Sequence, residues 1–180
     1  MWCQVQKESD MQVSVVVGNP NPGGRTTRVA QTVARFAIEA IGVGSQANIE
    51  IIELAHFASH LFEWKNDELA ALNEKVASSD LVIAACPVYK ASYTGLLKAF
   101  LDRYQTKGMA GTISLPVMVG AAAHHALAVE NHLRPLLVEL GSSVPTKGLY
   151  VTESQLDDLD SIIGEFMQTE GKLLRRALVT

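Results

Sequence analysis

The sequence predicts an open α/β sheet of parallel strands with helices over both faces. Three observations predict it. Five short apolar runs alternate with five longer segments of helical periodicity. Three of those runs are almost continuously apolar, the pattern of strands covered on both sides. The chain has 180 residues, 48% hydrophobic and 19% charged, which suits one domain with a substantial core and argues against disorder.

The first strand is residues 13–17 (VSVVV). In the helix that follows, Val29, Val33, Phe36, Ala37, Ala40 and Ile41 repeat at the spacing of one buried face, with Arg28, Gln31, Arg35 and Glu39 opposite. Residues 49–54 (IEIIEL) form the second strand, and the alternation of Ile with Glu places it towards the sheet edge. Residues 66–78 supply the second helix, with Asp67 and Glu68 near its start. Residues 81–85 (LVIAA) are the third strand, and Leu96, Leu97, Phe100, Leu101 and Tyr104 mark the helix after it. Residues 115–119 (LPVMV) are the fourth strand; Leu133, Leu136, Leu137 and Leu140 line the next helix, which Gly141 ends as a C-cap. Pro135 cannot donate to the carbonyl of Asn131, so a kink or π-bulge is expected near Asn131 and His132. Residues 148–151 (GLYV) are the fifth strand, and residues 157–177 the last helix, acidic at its start and ending in Arg175-Arg176 as its dipole favours. Right-handed crossovers lay such helices over both faces, and the flavodoxin-like order 2-1-3-4-5 is the commonest five-stranded solution. Residues 11–180 read as one such domain behind a polar leader, residues 1–10. The longest irregular stretch, residues 55–65, could form a flap over a ligand.

Charge and composition narrow the partners. A formal net charge of −4 argues against a broad nucleic-acid surface, which needs clustered Lys and Arg, but not against a small phosphate-bearing ligand. Cys3 lies in the leader and Cys86 in an apolar run, so both read as reduced thiols of a cytoplasmic protein. The leader has no secretory pattern, and no window reaches the roughly 18 uninterrupted apolar residues of a membrane span.

Ligands of such a sheet bind beyond the carboxyl ends of the strands. After strand one stands GNPNPGGRTT, residues 18–27. Glycine lets backbone amides approach an anion, the helix start adds partial positive charge, and Thr26 and Thr27 add hydroxyls. Arg25 adds a charged donor. The run lacks the Lys-Ser/Thr ending of a triphosphate loop and does not match G-x-G-x-x-G, so it reads as a monophosphate cradle. An ordinary Pro/Gly turn with a Thr cap is the plain alternative, but it needs neither two glycines nor an Arg. After strand three, residues 86–95 (CPVYKASYTG) offer backbone donors, two tyrosines and hydroxyls where a flat heteroaromatic ring could rest, although Tyr89 and Tyr93 would equally serve as packing. After strand four, residues 120–125 (GAAAHH) leave room for a ligand edge, a weak signal alone.

These three segments, in this order, resemble the NAD(P)H-dependent FMN reductase family, in particular the reductases that serve alkanesulfonate monooxygenases. PVYKASYTGLLKAFLD is the most specific part of the likeness, which also includes VGAAAHHALAVENHLRPLL. The resemblance implies a flavodoxin-like enzyme that binds FMN and passes it hydride from NADPH or NADH. It implies that Asn19, Arg25, Thr26 and Thr27 hold the FMN phosphate. Pro87, Val88, Tyr89 and Lys90 would lie along the ring, and Gly120, Ala121 and Ala122 would contact its far edge. It also implies a homodimer or homotetramer, packed through the fourth helix, and a partner flavin-dependent monooxygenase. The chain departs from the family at Asn19 and Gly24, where Ser is frequent, and at residues 120–122, where Gly-Gly-Thr is frequent.

With the hydride chemistry on the flavin, no protein nucleophile or base is required, and no catalytic residue is assigned. A quinone or azo reductase with bound FMN is the alternative enzyme. A flavodoxin-like electron carrier is the alternative outside enzymes, although −4 is a weak field for steering a basic partner. His56 and His60 stand four apart without the Cys or carboxylate partners of a metal site, and Cys86 without a readable base.

Overall fold

The computed structural model describes residues 10–179. The leader, apart from Asp10, lies outside the described residues, and Cys3 with it. Five parallel strands form the sheet in the order expected, β2-β1-β3-β4-β5. They are β1 (Met11–Val17), β2 (Ala47–Glu53), β3 (Leu81–Pro87), β4 (Ile113–Gly120) and β5 (Leu149–Thr152). Each apolar run became a strand, extended by one or two residues at one or both ends where ladder bonds continue, while Leu54 and Gly148 fall just outside β2 and β5. The helices are α1 (Arg25–Ile41), α2 (Asp67–Ala77), α3 (Gly95–Leu101), α4 (Arg134–Glu139) and α5 (Leu159–Leu178).

Alternation along the strands divides the core into two layers. Val13, Val15 and Val17 pack with Val29, Val33 and Ala37 of α1 and Ile163 and Met167 of α5. Val16, Val82 and Met118 face the other way, onto Leu69 of α2, Phe100 of α3 and Leu137 of α4. Central β3 is buried from Leu81 to Cys86, whereas Ile49 on β2 is 41% exposed, as befits the edge strand. Across α1 and α5, Arg35 donates to both carboxylate oxygens of Asp160, at 2.9 and 2.8 Å.

The bulge expected near Asn131 is a π-helical turn over Val129–Leu133, leading directly into α4. The Arg134 amide reaches back to the Val129 carbonyl. The turn is pinned to the β5 side. Glu130 accepts from the Gly148 amide and pairs with Arg134, which donates to the carbonyls of Val144 and Thr146. A side chain at 148 would stand 2.5 Å from a Val129 methyl, so glycine lets the turn dock.

Residues 55–65 do not take the form of a free flap. Leu54 and Leu61, on either side of their first half, are buried in the α2–α3 layer. Arg103 donates to the carbonyls of Leu61 and Glu63 while also bonding Asn73 of α2. The apolar pattern of this segment was too sparse to reveal that it is anchored from beneath.

Candidate functional site

The register sets the site. Val17 pairs with Glu53 on one side and Ala85 on the other, so the loops after β1, β2 and β3 leave the sheet at one level. Pro87 pairs with Val119, and Gly120 with Thr152, which brings the exits of β4 and β5 to the same edge. A pocket of about 190 Å³ opens there, lined by Asn19, Asn21, Gly24, Arg25, Thr26, Pro87, Tyr89, Val119 and Glu153.

The wall formed by the first loop follows from local chemistry. Asn19 is buried; its side-chain oxygen accepts from the Asn21 amide at 3.0 Å and its amide donates to the Thr26 hydroxyl at 3.2 Å. That folds 19–26 into a closed turn. Gly23 has φ +67°, a conformation other residues adopt at a cost. Gly24 precedes α1 as its N-cap and supplies no side-chain cap, whereas Asn66 caps α2 and Thr94 caps α3. The first-turn amides of Arg25 and Thr26, on the pocket wall, thus remain for an anion, with the positive end of the helix dipole behind them.

Two carboxylates flank this cradle, and sequence reasoning named neither. Glu53, at the end of β2, accepts from the Gly23 amide at 3.0 Å and the Thr27 hydroxyl at 2.7 Å through one oxygen; the other is buried without a hydrogen-bond partner. Glu153, immediately after β5, stands with its carboxylate 2.5 Å from the Arg25 guanidinium. The rule that ligands gather at the strands' carboxyl ends extends to the exits of β2 and β5, which would have pointed to both.

The second wall is a tight hairpin. Tyr89 and Ser92 exchange both backbone hydrogen bonds, at 3.0 and 3.1 Å, around Lys90 and Ala91, whose φ values are +51° and +62°. Neither is glycine, so the turn carries strain. Tyr89 is half exposed beside the pocket. Beneath it Cys86 is buried, and burial pushes its thiol up to about 12, which keeps it protonated and unsuited to nucleophilic work. The third loop is held by Tyr150, whose hydroxyl donates to the Ala122 carbonyl at 2.6 Å. A side chain at Gly120 would run into that same Tyr150 ring, a clear reason for glycine there.

Of the residues named from the sequence, Asn19, Arg25, Thr26, Pro87 and Tyr89 meet around one pocket. Thr27 lies behind the wall, turned to Glu53. Val88, Lys90, Ala121 and Ala122 stand in the two adjoining loops, and Gly120 at the end of β4, rather than in the pocket lining. The donor set fits a phosphate: an uncapped helix start, one guanidinium and one hydroxyl. His60 sits 2.9 Å from Glu63, outside the pocket lining, and among the described residues no cluster of three His, Cys, Asp or Glu could hold a metal ion. No helix among the described residues is long and apolar enough to cross a membrane.

Comparison with known proteins agrees with this fold. The model of the NADPH-dependent FMN reductase family matches residues 11–157. An FMN reductase (NADPH) of Escherichia coli is 28% identical over 151 residues, covering 82% of this chain and 76% of the relative. One of Pseudomonas aeruginosa is 30% identical over 155 residues, 83% and 81% of the two chains. The NADH-dependent FMN reductase SfnF of Pseudomonas putida is 25% identical over 154 residues, again 83% and 81%. Among solved structures, an NADH:FMN oxidoreductase (EMOB) in its apo form superposes with a TM-score of 0.79 at 27% identity, covering 94% of this chain and 91% of that one.

Proposed function

The chain belongs to the NADPH-dependent FMN reductase family, and from that premise we propose that the pocket at the start of α1 holds the FMN phosphate while the 87–90 and 120–122 loops flank the ring. The protein is an oxidoreductase that works with FMN and a nicotinamide nucleotide. FMN held there would supply the redox chemistry, the acceptance of hydride from NADPH or NADH.

The chain's own residues bind and orient. Arg25 and Thr26, with the first-turn amides of α1, would grip the phosphate. Asn19 fixes the Thr26 hydroxyl through its hydrogen bond. Glu53 braces the loop from behind through Gly23 and Thr27. Pro87 and Tyr89 give the pocket an apolar wall that would keep water from one edge of the ring. The observation that carries this reading is the single pocket shared by an uncapped helix start, Arg25, Thr26 and the Pro87–Tyr89 turn.

We further propose that the reduced flavin serves a partner flavin-dependent monooxygenase, which the likeness of the three loops supports. A homo-oligomer fits the exposed apolar Leu127 and Val138 flanking the π turn and is checked by light scattering.

Flavin absorbance during FMN titration, followed by NADH and NADPH oxidation with excess FMN, tests the reading. Steady turnover on free FMN is expected. Tight FMN binding with negligible turnover would instead mark an electron carrier, and turnover on quinone but not on flavin a quinone reductase. The printed names of the relatives divide between NADPH and NADH, so both donors belong in the assay.

A further inference from the structure

We propose that Glu153 competes with the flavin phosphate for Arg25, and so holds down the affinity of the pocket for FMN; this rests on the pocket being the FMN phosphate site. The guanidinium and carboxylate stand 2.5 Å apart, and both residues line the pocket. Whatever anion enters must meet Arg25 with its charge already answered.

Glu153 is held there by the fold. Thr152 pairs with Gly120 at the end of the sheet, and Thr152 and Gln155 form a reciprocal cap that fixes the turn carrying Glu153. The turn therefore keeps residue 153 at the pocket rim, where its side chain lines the site. Across the cradle, Glu53 already occupies the Gly23 amide and the Thr27 hydroxyl. Two negative charges thus border a site meant for a third.

The pair is built to exchange. Its side chains are 62% and 41% exposed, so water screens the attraction and little is lost when it opens. A phosphate offers Arg25 a stronger, bidentate partner. Its arrival releases Glu153, which then repels the bound anion from a few ångströms away and favours its departure. A site that hands reduced flavin onward gains from that repulsion.

The test measures FMN affinity by quenching of flavin fluorescence in wild type and E153Q, with riboflavin, which lacks the phosphate, in parallel. E153Q is expected to bind FMN about three- to tenfold more tightly, with riboflavin unchanged. In an R25A background the gain from E153Q should shrink, because no guanidinium remains to be freed. E153A and a thermal melt show that the effect is not one of folding. Unchanged or weaker FMN binding in folded E153Q, or equal tightening for riboflavin, overturns the proposal while leaving the FMN reductase reading intact. Failure of wild type to bind either flavin removes that reading and this proposal together.

Discussion

The Thr94 hydroxyl donates to the Gly18 carbonyl at 2.6 Å while accepting from the Leu97 amide at 3.1 Å. One buried side chain thereby caps α3 and ties the loop after β1 to the loop after β3. Gly18 completes the joint, since a side chain there would stand 2.5 Å from the Leu97 Cβ. The two halves of the proposed flavin site are fixed to each other by this contact.

Thr94→Val keeps the shape and removes both hydrogen bonds. Loss of the cap costs about 0.5–2 kcal/mol, and an unanswered buried Gly18 carbonyl about 1–3 kcal/mol. Destabilisation of about 2–4 kcal/mol is expected in urea unfolding, together with weaker FMN binding. A loss below about 0.5 kcal/mol would mean that the joint is not stressed in this way.

Gly120 and Tyr150 are coupled by contact. Gly120→Ala forces the Tyr150 ring aside and should cost about 1–3 kcal/mol by overpacking. Tyr150→Phe releases the Ala122 carbonyl but removes the oxygen closest to the added methyl group. The double variant should therefore be less destabilised than the sum of the singles. Strict additivity would contradict the contact.

Lys90 and Ala91 both hold positive φ without being glycine. Ala91→Gly relieves a left-handed conformation that costs an L-residue about 1–2 kcal/mol, offset by about 0.5–1 kcal/mol of glycine's unfolded-chain entropy. A small net gain in the unfolding midpoint is expected. A loss would show that the turn is relaxed in solution.

The π turn brings a pH dependence. The hydrogen bonds from Arg134 hold the Glu130 carboxyl below its ordinary value of 4.5, helped by the Gly148 amide and opposed by partial burial. A group whose folded value is lowered stabilises the fold above its unfolded value and loses that contribution as pH falls through the folded one. Wild type should thus lose stability as pH drops below about 4.5, and E130Q should lose less over the same window. Glu63, lowered by its bond to His60, has the same sign but is fully exposed. The difference between wild type and E130Q isolates Glu130.

The strand order and all five helices were legible because each strand is a short apolar run between helical patterns, and a parallel sheet leaves few alternatives. An irregularity in the fourth helix was legible from Pro135, which left a kink and a π turn equally open. The pocket's first wall was visible too, since an Arg and two threonines after glycines have a narrow range of uses. Glu53, Glu153, Thr94 and Tyr150 were not. Each acts across the sheet through register, at sequence distances of 26 to 128 residues from its partner, as with Glu53 to Thr27 and Glu153 to Arg25. The anchoring of residues 55–65 was hidden for the same reason, because Arg103 reaches them from 40 residues away.

The most direct measurement compares the affinities of FMN and riboflavin for wild type and for the double variant R25A/T26A. If the start of α1 grips the phosphate, wild type prefers FMN, and the variant loses at least about tenfold in FMN affinity, with riboflavin little changed. A variant that keeps its full preference for FMN while remaining folded would place the phosphate elsewhere.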